Sequence, residues 1–372
     1  MLKKGGGAPV GSLRTWALVI FLALFAVSCA ASDFQMVDDG FPFAQAWSYS
    51  TGDMLFSYAV GEDWMVIATT EGLSALDAAT GSLLWENDFL VNSGEASIAI
   101  FDDHLAAIGF EDNVKVFSIS GDELSTFSLI DNFGTGSAQI AAISDPYVCV
   151  MRTSSWVLQT YDMNTGTLLW ETYTSRGGPD VYIDTNLKSV LVVNSTEIRS
   201  YEIDRGALIL ELEGVTHASA YRSPMLYYYA LDNDNEDARL VAFDVSHEAE
   251  IWRTLLYVDV KQLVLHQGII LASTPREILS YDLEQGDFLW AYFPGDTFST
   301  PMLGIEDQLF ARGAVSRTIY ALSTEGLLVG TLQIGPSAPF VQPHDDYTAS
   351  LYAAGDRLVF VFRDEIFVYE KK

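Results

Sequence analysis

"ALDAATGSLLWE", residues 75–86, and "TYDMNTGTLLWE", residues 160–171, put Asp, Thr, Gly and Trp at the same steps 85 residues apart. Weaker copies, "AFDVSHEAEIWR" from Ala242 and "SYDLEQGDFLWA" from Ser280, keep Asp and Trp eight residues apart. Once Trp is allowed to vary, further copies fall at Val116, Ser200, Tyr320 and the C-terminus. The eight anchor positions are Asp77, Ser118, Asp162, Glu202, Asp244, Asp282, Ser323 and Glu370, spaced by 41, 44, 40, 42, 38, 41 and 47 residues. A period near 42 belongs to propeller blades or helical arrays. The runs before the anchors decide between them: "WMVIATT", "YVCVMRT", "SVLVVNS" and "RLVFVFR" are short, β-branched or aromatic and bounded by turn strings such as "TEG" and "PRE". These are strands and hairpins. Four strands per unit, repeated eight times, predict an all-β, eight-bladed β-propeller of four-stranded antiparallel blades.

Within each unit the D-x-x-T-G string turns the third strand into the fourth. Asp or Thr bonds the turn backbone, and Gly supplies a positive φ angle. Trp then lands on the outer strand, where it wedges against the neighbouring blade and contributes about 2 to 3 kcal/mol. Asp77, Gly81, Trp85, Asp162, Gly166, Trp170, Asp244, Trp252, Asp282, Gly286 and Trp290 are therefore read as structural. The last unit ends at Lys372 without a Trp strand, whereas "QAWSYST", residues 45–51, is a Trp strand without a unit. Trp47 is expected to complete the last blade from the N-terminal end, closing the ring and hiding its edge.

The string A-x-D-x-x-T-G-x-x-x-W, met in full by Ala75, Asp77, Thr80, Gly81 and Trp85, resembles the tryptophan-docking repeat of the PQQ-type propellers. The resemblance spans residues 41–372, and within that superfamily the chain is most similar to the eight-bladed outer-membrane lipoproteins of the machinery that folds outer-membrane barrels. It implies a protein-interaction scaffold, with a membrane or periplasmic protein as partner. Quinoprotein dehydrogenases of the same superfamily commonly carry adjacent cysteines over the cofactor, with acids and an Asn holding calcium. This chain has no "CC". The expectation is therefore no cofactor, no catalytic residues and no enzyme. A propeller that binds or senses a small ligand in its channel stays open as the alternative.

Residues 1–28 are a different text: Lys3, Lys4 and Arg14 with no acid, then "TWALVIFLALFAVSC", an apolar stretch short for a membrane span. This reads as an export signal. Its end, "AVSC", resembles a lipobox, making Cys29 the lipid anchor, residues 29–40 a tether reaching roughly 40 Å, and residues 41–372 one propeller domain. The protein is thus expected outside the cytoplasm, on the outer membrane facing the periplasm or on the outer face of a single membrane. The other cysteine, Cys149, lies in a strand and reads as core. Without the signal, 50 acids face 17 bases, a net charge of about −33. That excludes nucleic acid as a partner and leaves membrane residence to the acyl chains.

Chemical motifs are few. Asp232, Asp234 and Glu236 alternate as in a calcium loop, without its Gly and its closing Glu. The histidines show no metal spacing and no nucleophile elbow is present. What the repeat leaves irregular is the set of connections from one blade's outer strand to the next blade's inner strand. They share one end of the ring and carry Phe89, Phe133, Phe293, Phe298 and Phe340, a candidate partner face on a monomeric propeller.

Overall fold

A computed structural model describes residues 37–52, 55–91, 97–110, 112–130, 138–175, 179–213, 215–231, 238–313, 318–333, 349–362 and 365–372. These residues form strands, turns and connections, without a helix, arranged as eight antiparallel blades around an axis. Blades 1 to 7 span residues 57–87, 98–128, 138–173, 180–213, 215–256, 262–292 and 298–333, and blade 8 joins 349–371 to Phe43–Ser50. From the axis outward the strands of a blade are called inner, second, third and outer. Inner strands of neighbouring blades pack on one another around the axis.

Position in the blade explains the sequence patterns. Second strands such as Trp64–Thr69 and Ser189–Val193 are buried along their whole length. Neighbouring blades cover both faces, so the strand is apolar throughout rather than alternating. Outer strands such as Leu83–Asn87 and Glu123–Ser128 are wet on one side and alternate. In all eight blades the register of the third and outer strands shifts at one bulge, beside the residue in the Trp position. A bulge turns its strand locally and re-aims the side chain next to it.

That side chain reaches the next blade. Trp47, Trp85, Trp170, Trp252 and Trp290 donate Nε1–H to the carbonyls of Ala78, Ile119, Ile203, Leu283 and Thr324, at 2.7–3.3 Å. Each acceptor directly follows the anchor of the neighbouring unit, and each ring lies on that unit's turn glycine. A Cβ on Gly81 would stand 2.6 Å from the Trp47 ring, one on Gly121 2.7 Å from Trp85, and one on Gly286 2.4 Å from Trp252. The glycine thus meets two demands, a left-handed φ (+69° at Gly81) and a flat floor for the indole. The Asp completes the turn: Asp77 Oδ1 accepts from the amides of Ala79 and Thr80 and from the Thr80 hydroxyl, and Asp162 and Asp282 bond their turns likewise. The Thr80 hydroxyl and the turn amides hold the Asp77 carboxyl below its ordinary range. At Asp244 the Ser246 hydroxyl does most of the same, with His247, and brings it to about 2.

Three junctions lack the indole and solve the problem differently. In blade 2, Ser125 occupies the Trp register and donates to the Met163 carbonyl, while Phe127 lays its ring on Gly166. Leu210 of blade 4 has no donor and packs with Val245. The turn it meets carries Glu248 at φ +52° where the other units place Gly, because no indole needs the floor. In blade 7 the position is Gly330, whose Cβ would stand 2.3 Å from the Gly40 carbonyl oxygen.

The N-terminal segment fills that last place. Val37–Asp39 is a fifth strand on the outer edge of blade 7, in the register Val37↔Gln333, Asp38↔Leu332, Asp39↔Thr331. Phe41 then enters the junction of blades 7 and 8, 1% exposed, against Phe310 and Tyr369, with Phe43 on Phe310. Phe43–Ser50 pairs along Glu365–Lys371 as the outer strand of blade 8, and Trp47 docks on blade 1. The tether expected over residues 29–40 is corrected accordingly: its last residues belong to the sheet. Three acidic-rich residues carry no readable period, and they are a strand because blade 7 offers an unpaired edge.

Candidate functional site

Chain direction separates the two ends of the ring. Repeat turns crowd one end, while the interblade connections and the hairpins between second and third strands share the other, called here the linker face. The turns are alike from blade to blade. The linker face is where the blades differ.

Of the expected partner residues, Phe293 presents its ring to water, 67% exposed, beside a cleft of about 460 Å³ lined with Arg276, Gly295, Asp296 and Thr297. Phe298 is half-buried, edge-on to Tyr320 at 6.0 Å. Phe89 points inward, 9% exposed, in the joint between blades 1 and 2 with Phe117 at 6.2 Å, and Lys115 lies over its ring. Phe89 therefore seals the ring instead of offering a contact. Phe133, Phe340, Cys29 and the acidic turn 232–237 lie outside the described residues.

Other side chains join Phe293 on this face. Tyr257, in the connection after blade 5, is 89% exposed, and Phe110, in the hairpin of blade 2, is 56% exposed. Leu90 and Ile130 are exposed nearby in sequence, in the connections after blades 1 and 2. Tyr257 was not legible in the sequence because "LLYVDV" continues the alternation of its strand, with Val258 and Val260 packed into the core beside it. Exposed pairs such as Leu83–Leu84, Leu208–Ile209 and Phe288–Leu289 also occur on the outer wall, at one repeated position just before Trp or its substitute. Those belong to the repeat, whereas the linker-face residues are individual to their blades.

A polar network stiffens the face at blades 2 and 3. Gln159 donates to the Ile130 carbonyl at 2.9 Å and to Glu171 at 3.1 Å, and the Tyr161 hydroxyl donates to Gln159 while accepting from the Ile130 amide at 2.9 Å. Burial raises the Tyr161 pKa, so the phenol stays a donor. Arg152, buried, pairs with Asp112 at 2.7 Å and fastens the blade 2 hairpin next to Phe110. With Arg152 buried and Asp112 partly exposed, losing the carboxylate would leave a buried guanidinium without that counter-charge, so the pair ties the hairpin to blade 3.

Around the axis, the inner strands of blades 4 and 5 meet through polar groups. Ser219 donates to Asp180 and lies 3.0 Å from the Tyr182 hydroxyl, and Tyr221 donates to Asp184. Burial raises both phenols, Tyr182 and Tyr221, well above the ordinary tyrosine range. These groups satisfy one another across the blade joint. Cys149 is fully buried 3.4 Å from Thr160, and burial pushes its thiol up to about 12, which makes it a packing residue. Among the described residues no group of three or more His, Cys, Asp or Glu side chains is placed to hold a metal ion.

Residues 44–292, about two thirds of the chain, match a family model described as outer membrane protein assembly factor BamB. No curated protein matches the chain in sequence. Among solved structures, BamB from Moraxella catarrhalis is similar at a TM-score of 0.61 and 16% identity, over 89% of this chain and 98% of that one. The computationally designed Ika8 protein is similar at 0.67 and 16%, over 88% and 99%. Sqt1 of Saccharomyces cerevisiae is similar at 0.62 and 9%, over 90% and 99%. At these identities the structural likeness speaks for the fold, and the family model carries the kinship.

Proposed function

The chain belongs to the family of the outer membrane protein assembly factor BamB, and from that premise we propose that it is a lipid-anchored, non-catalytic scaffold that presents its linker face to a protein partner in outer-membrane protein assembly. One observation supports this reading above the others: Phe110, Tyr257 and Phe293 stand exposed on the end of the ring where the blades are individual. Aromatic side chains in that state anchor interfaces, because they bury large area at low cost in conformational entropy. The Gln159–Tyr161–Ile130 network and the Arg152–Asp112 pair hold part of the same face rigid before a partner arrives. With the acyl chains at Cys29, the scaffold meets that partner at the periplasmic surface of the outer membrane.

The double substitution Tyr257→Ser, Phe293→Ser tests the face. Both side chains are exposed, so circular dichroism and thermal stability are expected to match the unsubstituted protein. In a crosslinking pulldown from outer-membrane extracts, the variant is expected to recover at least about tenfold less partner, as loss of one or two interface anchors implies. Equal recovery by a folded variant would remove this face as the binding surface.

A further inference from the structure

The strand Val37–Asp39 decides which way the ring faces. It runs antiparallel to Leu328–Gln333, and its first residue, Val37, stands opposite Gln333. Gln333 is the end of that outer strand from which the chain leaves blade 7 for blade 8, so it lies on the linker face. The residues before Val37 therefore begin at the linker face, on the outer edge of blade 7. The following residues pin this path: Gly40 is bridged to Thr331, and Phe41 is buried between blades 7 and 8.

Chain length supplies the second half. From Cys29 to Val37 there are eight steps, which cover at most about 29 Å however the segment is arranged. The six-residue outer strand of blade 7 is about 20 Å long. A bilayer on the side of the repeat turns would require those eight steps to run back along the whole outer wall and end almost flush with it. A bilayer on the side of the linker face leaves the full length in hand. The geometry points to a propeller held with its linker face toward the bilayer and the repeat turns away from it. Resting on the anchoring at Cys29 proposed above, this brings Phe293 and Tyr257, on the two blades preceding blade 7, to the membrane side of the molecule. The partner met there is a membrane-proximal segment and not a protein approaching from the periplasmic space.

The test uses the mature chain from Cys29 onward, with a maleimide-linked diacyl lipid on Cys29 and zwitterionic vesicles containing a nitroxide-headgroup lipid. Cys149 is fully buried and escapes the reagent. A fluorescent amino acid is placed at position 293, on the linker face of blade 6, or at position 285, in the exposed repeat turn of the same blade. Sharing one blade, the two positions differ mainly along the axis. Quenching is expected to be at least about threefold stronger at 293 than at 285, given a separation close to the length of a strand. Equal quenching, or stronger quenching at 285, would overturn the orientation. Inserting fifteen Gly/Ser residues between Met36 and Val37 is expected to bring the two signals together, and a difference that survives the insertion would overturn the role of the short tether. Because the lipid is attached chemically, a native protein without lipid at Cys29 would show in intact mass and leave this measurement untouched.

Discussion

Deletion of residues 41–51 is expected to abolish cooperative folding of the monomer. The segment removes Phe41 and Phe43, 1% and 2% exposed, together with Trp47, the outer strand of blade 8 and the floor contact on Gly81. Two buried Phe side chains at about 3 to 5 kcal/mol each already approach the 5–15 kcal/mol that holds a typical domain together. The strand Glu365–Lys371 would be left with an open edge in a chain whose ring no longer closes. Size-exclusion chromatography is expected to show aggregates, and urea titration no cooperative transition. The milder Phe41→Ser variant is expected to lose about 4 kcal/mol through the joint of blades 7 and 8 alone. A deletion variant as stable as the full chain would contradict closure through this segment.

Gly81→Ala is expected to destabilise by roughly 2 to 4 kcal/mol, a large effect for a single added carbon. Two causes add there: a backbone at φ +69° that an L side chain adopts with strain, and a Cβ 2.6 Å from the Trp47 indole. Gly268→Ala separates them. Gly268 has φ +83° but nothing within 4 Å of its missing Cβ, so the same substitution is expected to cost only about 1 kcal/mol. Glu248→Gly runs the other way: at φ +52° and without an indole overhead, relief of strain is expected to gain about 0.5 to 1 kcal/mol. Denaturant midpoints for the three variants check the order. Equal losses for Gly81→Ala and Gly268→Ala would mean that the indole does not rest on the turn.

The repeat made most of this legible, because Asp, Gly and Trp are coupled by geometry and not by local propensity. A turn that must bond its own amides needs Asp77, and a floor for an indole needs Gly81, so the eight anchors are visible in the sequence even where one member is missing. Trp47 was legible for the same reason, as a docking residue without its own unit. Substitutes were not. Ser125 and Phe127 divide between them the donor and the ring that one Trp supplies elsewhere, and neither residue alone carries a pattern. The strand Val37–Asp39 was hidden because it is defined by the edge it meets. Of the linker-face residues, Phe89 shows why exposure resists reading: its ring fills the space left by Gly109, whose Cβ would stand 2.7 Å away, and that neighbour comes from another blade. Phe293 has no such neighbour and stays out.

A single stretch of chain, from Val37 to Trp47, covers blade 7 and closes the ring, and the proposed scaffold depends on an anchor at Cys29, eight residues before it. The most direct measurement is intact mass of the protein isolated from its native membrane, together with fractionation of Cys29→Ala. The expected result is a mature chain beginning at Cys29 with the added mass of its acyl chains, and a Cys29→Ala variant that leaves the membrane fraction. An unmodified Cys29 in the wild-type protein, or a variant that stays with the membrane, would contradict it.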